Sequence, residues 1–295
     1  MRAVVHHDHP SPDEVPVRDA ATVMLLRDGP DGIEVCLMQR NLDSDFVGGA
    51  YVFPGGGVDP EDADPATAAV CTGRDDVGAS RLLGLPSGGL AFWVAAIRES
   101  FEEAGILLAR LPDGRPLSFH DPATAARFER HRADVDAGRR TIAEVAREEH
   151  LLLDAGALHA FSRWITPLGA HRRYDTRFFV AAAPEGQVAL HDDRELIGTH
   201  WLPPAEALRR HDAGELVMIF PTIRTLVALQ RFDTSGAVLD HAAALSSVPA
   251  VLPTVRESSS GTRIVLPGDP GHTGGVYDAH SAMPVDERAD PGRGR

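Results

Sequence analysis

Apolar residues recur with two different spacings along this chain, and those spacings separate strand-like from helix-like segments. Short apolar and β-branched runs predict strands at residues 20–27, 33–39, 50–53, 160–165, 176–182 and 196–202. Helical spacing predicts helices over residues 92–108 and 220–231, and start signals predict shorter helices near residues 66, 122, 141 and 204. Strands at both ends of this region with helices between them predict an α/β or α+β sandwich.

Two stretches interrupt the periodic segments, one rich in proline and glycine and one with helix-start signals at Asp121 and Thr141. Beyond residue 233 clear periodicity is lost, although residues 262–266 predict one more strand. We therefore expect a flexible segment at 1–17, one folded domain at 18–235 with insertions at about 63–90 and 118–156, and a C-terminal extension at 236–295 with a disordered end.

Composition narrows the function classes. The net charge of −14 argues against broad contact with nucleic acid or membrane, although a locally basic pocket for an anionic ligand remains compatible with it. Apolar runs are too short to span a membrane, and the first residues lack the apolar core of a secretory signal. Cys36 and Cys71 lack zinc-site spacing. We expect a cytoplasmic protein acting on a small molecule, and a homodimer is possible.

The predicted helix over residues 92–108 carries the candidate chemistry. Glu99, Glu102 and Glu103 project from neighbouring turns of this helix into one small volume. Three like charges repel one another, and Arg98 is the only basic residue close to them in this stretch. A hard divalent cation would relieve the repulsion, whereas the alternative interpretation is an acidic helix face exposed to solvent.

The sequence FPGG at residues 53–56, followed by RESFEEAG at residues 98–105, resembles the Nudix box, GX5EX7REUXEEXGU. When the first glycine of the pattern is placed on Gly56, Asp62 stands where a glutamate is expected, and Glu61 lies one residue earlier. Either carboxylate is a candidate. Asp62 lies 36 positions before the arginine, so a 28-residue insertion interrupts the box. A loop can absorb such an insertion because the entropy of closure grows only with the logarithm of length.

An interrupted box is similar to that of one branch of the Nudix superfamily, whose known members cleave coenzyme A and its acyl derivatives. A coenzyme A signature also fits the spacing that leads to the FPGG sequence. Arg40 and Gly49 match this signature, whereas Asn41 and Asp45 depart from it. Ser100 departs from the box, because an aliphatic residue is usual there.

The resemblance implies a Nudix-type α/β/α sandwich with a mixed β-sheet and helical insertions, and a pyrophosphohydrolase that uses Mg²⁺ or Mn²⁺. The metal ligands that it implies are Glu99, Glu102, Glu103, the carbonyl of Gly55, and Asp62. Arg98 is expected to orient a glutamate, because a guanidinium binds a carboxylate in a bidentate way. The candidates for substrate contact are Arg40, Gly56, Arg173 and Arg177. For the arginines, salt bridges to nearby acids are an equal alternative.

We therefore expect a metal-dependent hydrolase that cleaves the pyrophosphate of coenzyme A or acyl-coenzyme A by water attack. Two alternatives stay open: hydrolysis of ADP-ribose or an NADH-type dinucleotide, and a non-catalytic Nudix module that senses a nucleotide. Such a sensing module can dispense with metal-binding carboxylates. The presence of Glu99, Glu102 and Glu103 therefore favours catalysis.

Overall fold

The structure is a computed structural model that describes residues 15–42, 48–191, 195–258, 261–267 and 275–278. Within these ranges the strands are β1 (Val17–Gly29), β2 (Gly32–Arg40), β3 (Ala50–Val52), β4 (Gly55–Gly57), β5 (Cys71–Thr72), β6 (Ala109–Arg110), β7 (Leu152–Asp154), β8 (His159–Ile165), β9 (Arg173–Ala182), β10 (Leu196–Leu202), β11 (Val217–Met218), β12 (Ala250–Val251), β13 (Thr254–Ser258), β14 (Gly261–Leu266) and β15 (Gly275–Asp278). The helices are α1 (Pro65–Ala68), α2 (Asp76–Leu83), α3 (Leu90–Ala104), α4 (Pro122–Asp136), α5 (Ile142–Glu148), α6 (Pro204–Asp212), α7 (Phe220–Leu229) and α8 (Ser235–Ala243). Most of the predicted flexible segment 1–17, Asp45 and the end of the C-terminal extension lie outside the described residues.

The main sheet is mixed. Its strand order is β11-β3-β2-β1-β9-β8-β12, with β10 paired to β2 and β4 paired to β1. The central strand β1 pairs in parallel with β9, and β2 returns antiparallel beside β1 after a tight turn. A long apolar strand at the centre of a sheet is buried on both faces, as the run of apolar residues in β1 requires.

The two faces of the sheet carry two separate cores. Along β1, Val23 and Leu25 belong to the core beneath α3, whereas Met24 and Leu26 belong to the core beneath α7. This alternation follows from the two-residue repeat of a strand. Helices therefore cover both faces, and the predicted α/β/α sandwich with a mixed sheet is confirmed.

Helix α3 is buried along its whole length. Gly105 has a φ of 68° and ends the helix, as predicted, because glycine adopts the left-handed conformation without a Cβ penalty. Every residue of α3 except Glu102 is buried. The sequence predicted a single apolar stripe, whereas Trp93 packs against Phe179 of the sheet and Phe101 packs against Phe128 of α4 on another side. The helix thus lies between the sheet and an outer layer.

The outer layer is built from both predicted insertions. Strand β5 of the first insertion pairs with β7, which lies near the end of the second insertion, and β6 pairs with the other edge of β7. An Arg147 Nη2 donates to the Ala66 carbonyl at 2.7 Å, which links α5 to α1. The caps predicted at Asp121 and Thr141 are confirmed by side-chain hydrogen bonds to the backbone of α4 and α5. Helix α2 was not predicted.

The described part of the C-terminal extension is folded. Helix α8, which begins at Ser235, packs against β8 and β9, and the sequence did not predict it. The strand predicted at residues 262–266 is confirmed as part of β14, which lies between β13 and β15 in a small separate sheet. None of the helices in the described ranges is both long and apolar enough to cross a bilayer.

Candidate active site

The short strand β4 brings a glycine turn directly against α3. Gly55 pairs with Thr22 of β1, and Gly56 pairs with Ala21. A Cβ on Gly55 would lie 2.7 Å from the Cα of Thr22, and a Cβ on Gly56 would lie 2.6 Å from the Cδ of Glu99. Because Gly55 would meet backbone atoms of β1, that position requires glycine, whereas a Cβ on Gly56 would displace the carboxylate of Glu99.

The guanidinium of Arg98 connects this turn to the acidic residues. Its Nε and Nη2 bind the two carboxylate oxygens of Asp62, each at 3.0 Å, and Nη2 also donates to the Gly57 carbonyl at 2.7 Å. Its Nη1 donates to Glu99 Oε1 at 2.8 Å and to Glu102 Oε2 at 3.0 Å. Burial alone would lower the pKa of Arg98, but its hydrogen bonds to Asp62 and the negative charge of Glu99 raise the pKa above its usual value, so Arg98 stays charged.

The geometry distinguishes Asp62 from Glu61. Asp62 is buried and occupies both of its carboxylate oxygens with Arg98, while Oδ2 also accepts from the Asp59 amide. Glu61 is exposed. Asp62 therefore completes the box through Arg98. The role of Asp62 as a metal ligand stays a prediction, and the contacts of both its oxygens with Arg98 support a role in fixing that guanidinium.

The glutamates of α3 share a desolvated volume. Burial raises the pKa of Glu99 and that of Glu102 to about 7, although Arg98 opposes the shift. Burial also raises the pKa of Glu103 well above its usual range, and the charge of Glu99 adds to the effect. Oε2 of Glu103 accepts a hydrogen bond of 2.7 Å from the Gly55 amide, which fixes this carboxylate against the glycine turn.

These residues fit a divalent cation of the hard, oxygen-preferring kind. Burial and mutual repulsion raise the pKa of all three carboxyls, so the unliganded group resists full ionisation and a cation would relieve the repulsion. The backbone of Gly55 lies in contact with Glu103 through its amide. The carboxylate oxygens and the close backbone together are the donor types that Mg²⁺ and Mn²⁺ prefer. The role of the Gly55 carbonyl stays a prediction.

A cavity begins at the same glycine turn and runs along the α7 face of the sheet. Its volume is about 350 Å³, and Gly55, Arg40 and Phe178 are among the residues that line it. Most of the remaining wall is apolar or aromatic and includes Trp164 and Phe220. The cavity thus joins a cationic side chain, the glycine turn next to Glu103, and an apolar compartment.

Comparisons with known proteins agree with this geometry. A family model described as NUDT19 Nudix domain matches residues 79–229. The chain belongs to the Nudix hydrolase family. An acyl-coenzyme A diphosphatase NUDT19 of Gallus gallus is 30% identical over 85% of this chain and 79% of the relative, and a Homo sapiens protein of the same name is 28% identical over 81% of this chain and 72% of the relative. The crystal structure of a NUDIX hydrolase from Alicyclobacillus acidocaldarius superposes with a TM-score of 0.61 at 28% identity, covering 77% of this chain and 97% of that one.

This Nudix hydrolase is therefore a pyrophosphohydrolase of a family that generally requires a divalent metal. The matched range begins after Asp62, so the family match contains Arg98 and the glutamates but not the first half of the box. The link between the two halves is instead the bidentate contact from Arg98 to Asp62. The insertion lies between the two halves of the box but does not separate them. Its strand β5 pairs with β7 in the outer layer.

Two of the predicted substrate-binding arginines lie away from the cavity. Arg177 has a side chain that is 2% exposed, bonds Asp19 and Asp175, and lies 4.0 Å over the ring of Phe92. Since Phe178 faces the cavity, the adjacent Arg177 faces the α3 side of the sheet. Arg173 is also buried, and its Nε donates to a backbone carbonyl. The structure thus supports the salt-bridge alternative for Arg177, and neither arginine has the placement of a phosphate contact.

Sequence reasoning missed Arg132, a buried residue of α4 that contacts the end of α3. Its Nε donates to the Glu102 carbonyl at 2.8 Å, and its Nη2 donates to the carbonyls of Glu103 and Leu190 at 2.9 and 3.0 Å. These helix-end carbonyls lack partners within the helix, and a cation there also complements the helix dipole. The spacing from Glu102 gives no local signal for this contact, because thirty residues separate the two.

Within the described residues, one group of three metal-ligand side chains has its ligand atoms within 4.8 Å of one another, and it consists of His131, Glu148 and Glu149. The carboxylates of Glu99, Glu102 and Glu103 are spread more widely than this. Arg127 donates to Glu149 at 2.7 Å, and Arg140 donates to Glu148 at 2.6 Å. His131 contacts Glu149 at 2.9 Å. Arginines therefore already neutralise both carboxylates, and we assign no metal to this group.

We predict that the metal-free protein loses stability as pH rises from about pH 5.5 to about pH 8, while the stabilisation by Mg²⁺ grows. Folding raises the pKa of Glu99 and of Glu102 to about 7 from 4.5, so between these values the folded state binds more protons than the unfolded state. Deprotonation then costs stability, whereas a metal requires the deprotonated ligands. Tm measured with chelator and with Mg²⁺ at both pH values checks this.

The Glu102→Gln variant is the control, because it removes one of the two titrating carboxylates and should flatten the pH dependence in chelator. A chelated wild-type Tm that does not fall over this range, combined with an equal Mg²⁺ effect at both pH values, would contradict the assignment.

We predict that Arg132→Met weakens Mn²⁺ binding by about 10-fold, the loss typical of a partner that orients metal ligands, and also lowers Tm. The change leaves the carbonyls of Glu102 and Glu103 without their donor and loosens the turn that carries both carboxylates. Arg132→Lys should recover part of the affinity. Calorimetric titration with Mn²⁺ is the measurement.

Arg147→Met is the matched control, since Arg147 also belongs to the insertions and donates to a backbone carbonyl, but that carbonyl is Ala66 rather than α3. Its Mn²⁺ affinity should equal that of the wild type. Undiminished Mn²⁺ affinity in folded Arg132→Met would mean that Arg132 supports the fold alone.

Proposed function

We propose that this Nudix hydrolase cleaves the pyrophosphate of coenzyme A or acyl-coenzyme A. The observation that carries the proposal is the cavity of about 350 Å³ that starts at Gly55 and contains Arg40. Such a cavity fits a substrate with a pyrophosphate at one point and a large apolar group attached to it. The names of the relatives in Gallus gallus and Homo sapiens support the same substrate class.

The proposed metal ligands are the carboxylates of Glu99, Glu102 and Glu103, with the Gly55 carbonyl as a further donor. Bound Mg²⁺ or Mn²⁺ would neutralise the phosphate oxygens and lower the pKa of the attacking water. Arg98 holds Glu99 and Glu102 in place and does not touch the substrate. One of these glutamates is the proposed general base that accepts a proton from the attacking water.

Arg40 is the proposed contact for a substrate phosphate. Its Nε is buried without a hydrogen-bond partner among the described residues, and its charge lies close enough to Glu103 to lower the pKa of that carboxyl. A half-buried guanidinium that lacks a carboxylate partner among the described residues is available for an oxyanion, which it binds with charge-assisted hydrogen bonds. Gly56 contributes by the absence of a side chain, because a Cβ there would collide with Glu99.

The aromatic wall is the proposed compartment for the organic part of the substrate. Trp164 and Phe178 both line the cavity and both also belong to the core on the α7 face. Packing in the core and stacking on a ligand are therefore compatible roles for the two rings. Adenine and an acylated pantetheine would each bury apolar area here. The net charge of −14 supports a small-molecule partner rather than nucleic acid.

Product analysis tests this function. With Mg²⁺ or Mn²⁺, coenzyme A should give 3′,5′-ADP and phosphopantetheine, and acyl-coenzyme A should give the acylated form of the latter. Glu103→Gln should lower kcat by about 100-fold or more, because a ligand and its charge are lost together. Calorimetric Mn²⁺ titration and Tm verify that the variant remains folded and show the loss at the metal.

Two outcomes would replace the proposal. Rapid cleavage of ADP-ribose or NADH with no turnover of coenzyme A would show that the enzyme is an ADP-ribose or dinucleotide pyrophosphatase. Nucleotide binding without turnover of any of these substrates, unchanged by chelator, would identify a sensing module. The presence of Glu99, Glu102 and Glu103 on α3 argues against that second outcome.

We predict that Arg40→Met raises KM for coenzyme A by about 10-fold, the loss expected for a charge-assisted contact worth about 1.5 kcal/mol. Arg177→Met should leave KM unchanged and instead lower the free energy of unfolding by about 3 kcal/mol, because it breaks a buried ion pair. Steady-state kinetics and denaturant unfolding of both variants separate these effects. Equal KM values for wild type and Arg40→Met would exclude the phosphate contact.

A further inference from the structure

The chain that follows α8 returns to the proposed active-site cavity. Strand β12 joins the edge of the main sheet, where Ala250 pairs with Arg163 and Val251 pairs with Trp164 of β8. Because Trp164 lines the cavity, this pairing places the next residues of the chain beside it. These residues lie beyond the range 79–229 that the family model matches.

Two side chains of this segment form part of the cavity surface, Pro253 and Ile264. We call these two residues the C-terminal wall. Pro253 is buried, and Ile264 is 8% exposed. Strand β14 holds Ile264 in a defined register, since Ile264 pairs with Val255 of β13. The alternation of side chains along β14 also turns Leu266 inward, where it is buried in the same core.

Contacts to α7 hold the C-terminal wall in position. Tyr277 of β15 pairs with Ile264 and meets the ring of Phe220 edge-on, at 6.0 Å between centroids and an angle of 76°. The guanidinium of Arg224 lies 4.6 Å from the centroid of the Tyr277 ring. Phe220 itself lines the cavity. The wall is therefore tied to the first turns of α7 by aromatic and cation-π contacts rather than lying loosely over the opening.

We propose that Ile264, supported by Pro253, is a specificity-determining residue that limits the size of the apolar group attached to the cleaved pyrophosphate. The inference rests on the proposed function, because it assigns a substrate group to the cavity beside Gly55. Adenine and an acyl-pantetheine share the relevant chemistry, which is apolar surface linked to a phosphate. The C-terminal extension thereby acquires a role in substrate selection.

The size of the cavity makes a single wall residue matter. At about 350 Å³ it lies near the lower end of the range for ligand sites, so a few carbon atoms are a substantial part of its capacity. One methylene in an apolar pocket changes kcat/KM by about 10-fold or more. Ile264→Ala removes several carbon atoms from the wall, whereas Ile264→Phe adds bulk to it.

The test is kcat/KM of wild type, Ile264→Ala and Ile264→Phe for coenzyme A, a short-chain acyl-coenzyme A and a long-chain acyl-coenzyme A. If the acyl chain occupies the cavity, Ile264→Ala shifts the preference by about 10-fold toward the long chain and Ile264→Phe shifts it toward coenzyme A. If adenine occupies it, each variant changes kcat/KM by the same factor for all three substrates, and by a similar factor for ADP-ribose. Both results support the proposal that Ile264 contacts the substrate, and each identifies the substrate group that it contacts.

Val255→Ala is the matched control. Val255 is the strand partner of Ile264, but its side chain is 41% exposed, so this variant should retain wild-type kcat/KM for every substrate. Tm of each variant reports folding. Ile264→Val, which removes one carbon, is measured in addition, so that a test remains if the alanine variant is unstable.

The inference is overturned if folded Ile264→Ala and Ile264→Phe keep wild-type kcat/KM within about twofold for all substrates, since a pocket contact is worth more than that. Unchanged kcat/KM in the Ile264 variants can be told apart from failure of the proposed function. If the wild-type enzyme does not hydrolyse coenzyme A but cleaves ADP-ribose, the proposed substrate is wrong, and the Ile264 series measured with ADP-ribose still decides whether the wall contacts the substrate.

Discussion

The active site depends on one buried guanidinium. Arg98 contacts Asp62, Glu99 and Glu102 at once, and its Nη2 also reaches the backbone of the glycine turn. One positive charge cannot balance all of these carboxylates, and Glu103 adds a further one that is bonded to a backbone amide instead. The surplus of negative charge in a desolvated volume is the condition that makes a divalent cation favourable there. The same arginine therefore organises the cluster and leaves it unneutralised.

Local sequence signals predicted the elements that surround this arginine. The end of α3 at Gly105, the caps at Asp121 and Thr141, and the strand pattern of the main sheet all follow from residues within a few positions of each other. The carboxylates of α3 were predictable for the same reason, because the helical repeat alone brings residues three and four apart together. The pairing of Arg98 with Asp62 was not predicted, because 36 residues separate them and Arg98 was expected to orient a glutamate.

Other assignments depended on facts that are not local. The two-residue repeat of β9 shows that Arg177 and Phe178 face opposite sides, but not which side holds the cavity. The resemblance implies Asp62 as a metal ligand, but it does not reveal that a guanidinium binds both of its oxygens. Arg132 and Ile264 reach the site from distant parts of the chain, and only tertiary contacts place them there. Helix α8 escaped prediction because its short run of small residues has weak periodicity.

The outer layer over α3 limits how far this enzyme could be shortened. In a bare sandwich the catalytic helix would turn one side to water, yet here Phe101 packs on Phe128 of the insertions and Arg132 bonds the helix end. Excising residues 118–156 would strip an aromatic contact and the partners of two carbonyls from the helix that carries the glutamates. The insertions have thus become part of the core, and a shortened chain would need polar replacements on α3 before it could stay folded and unaggregated.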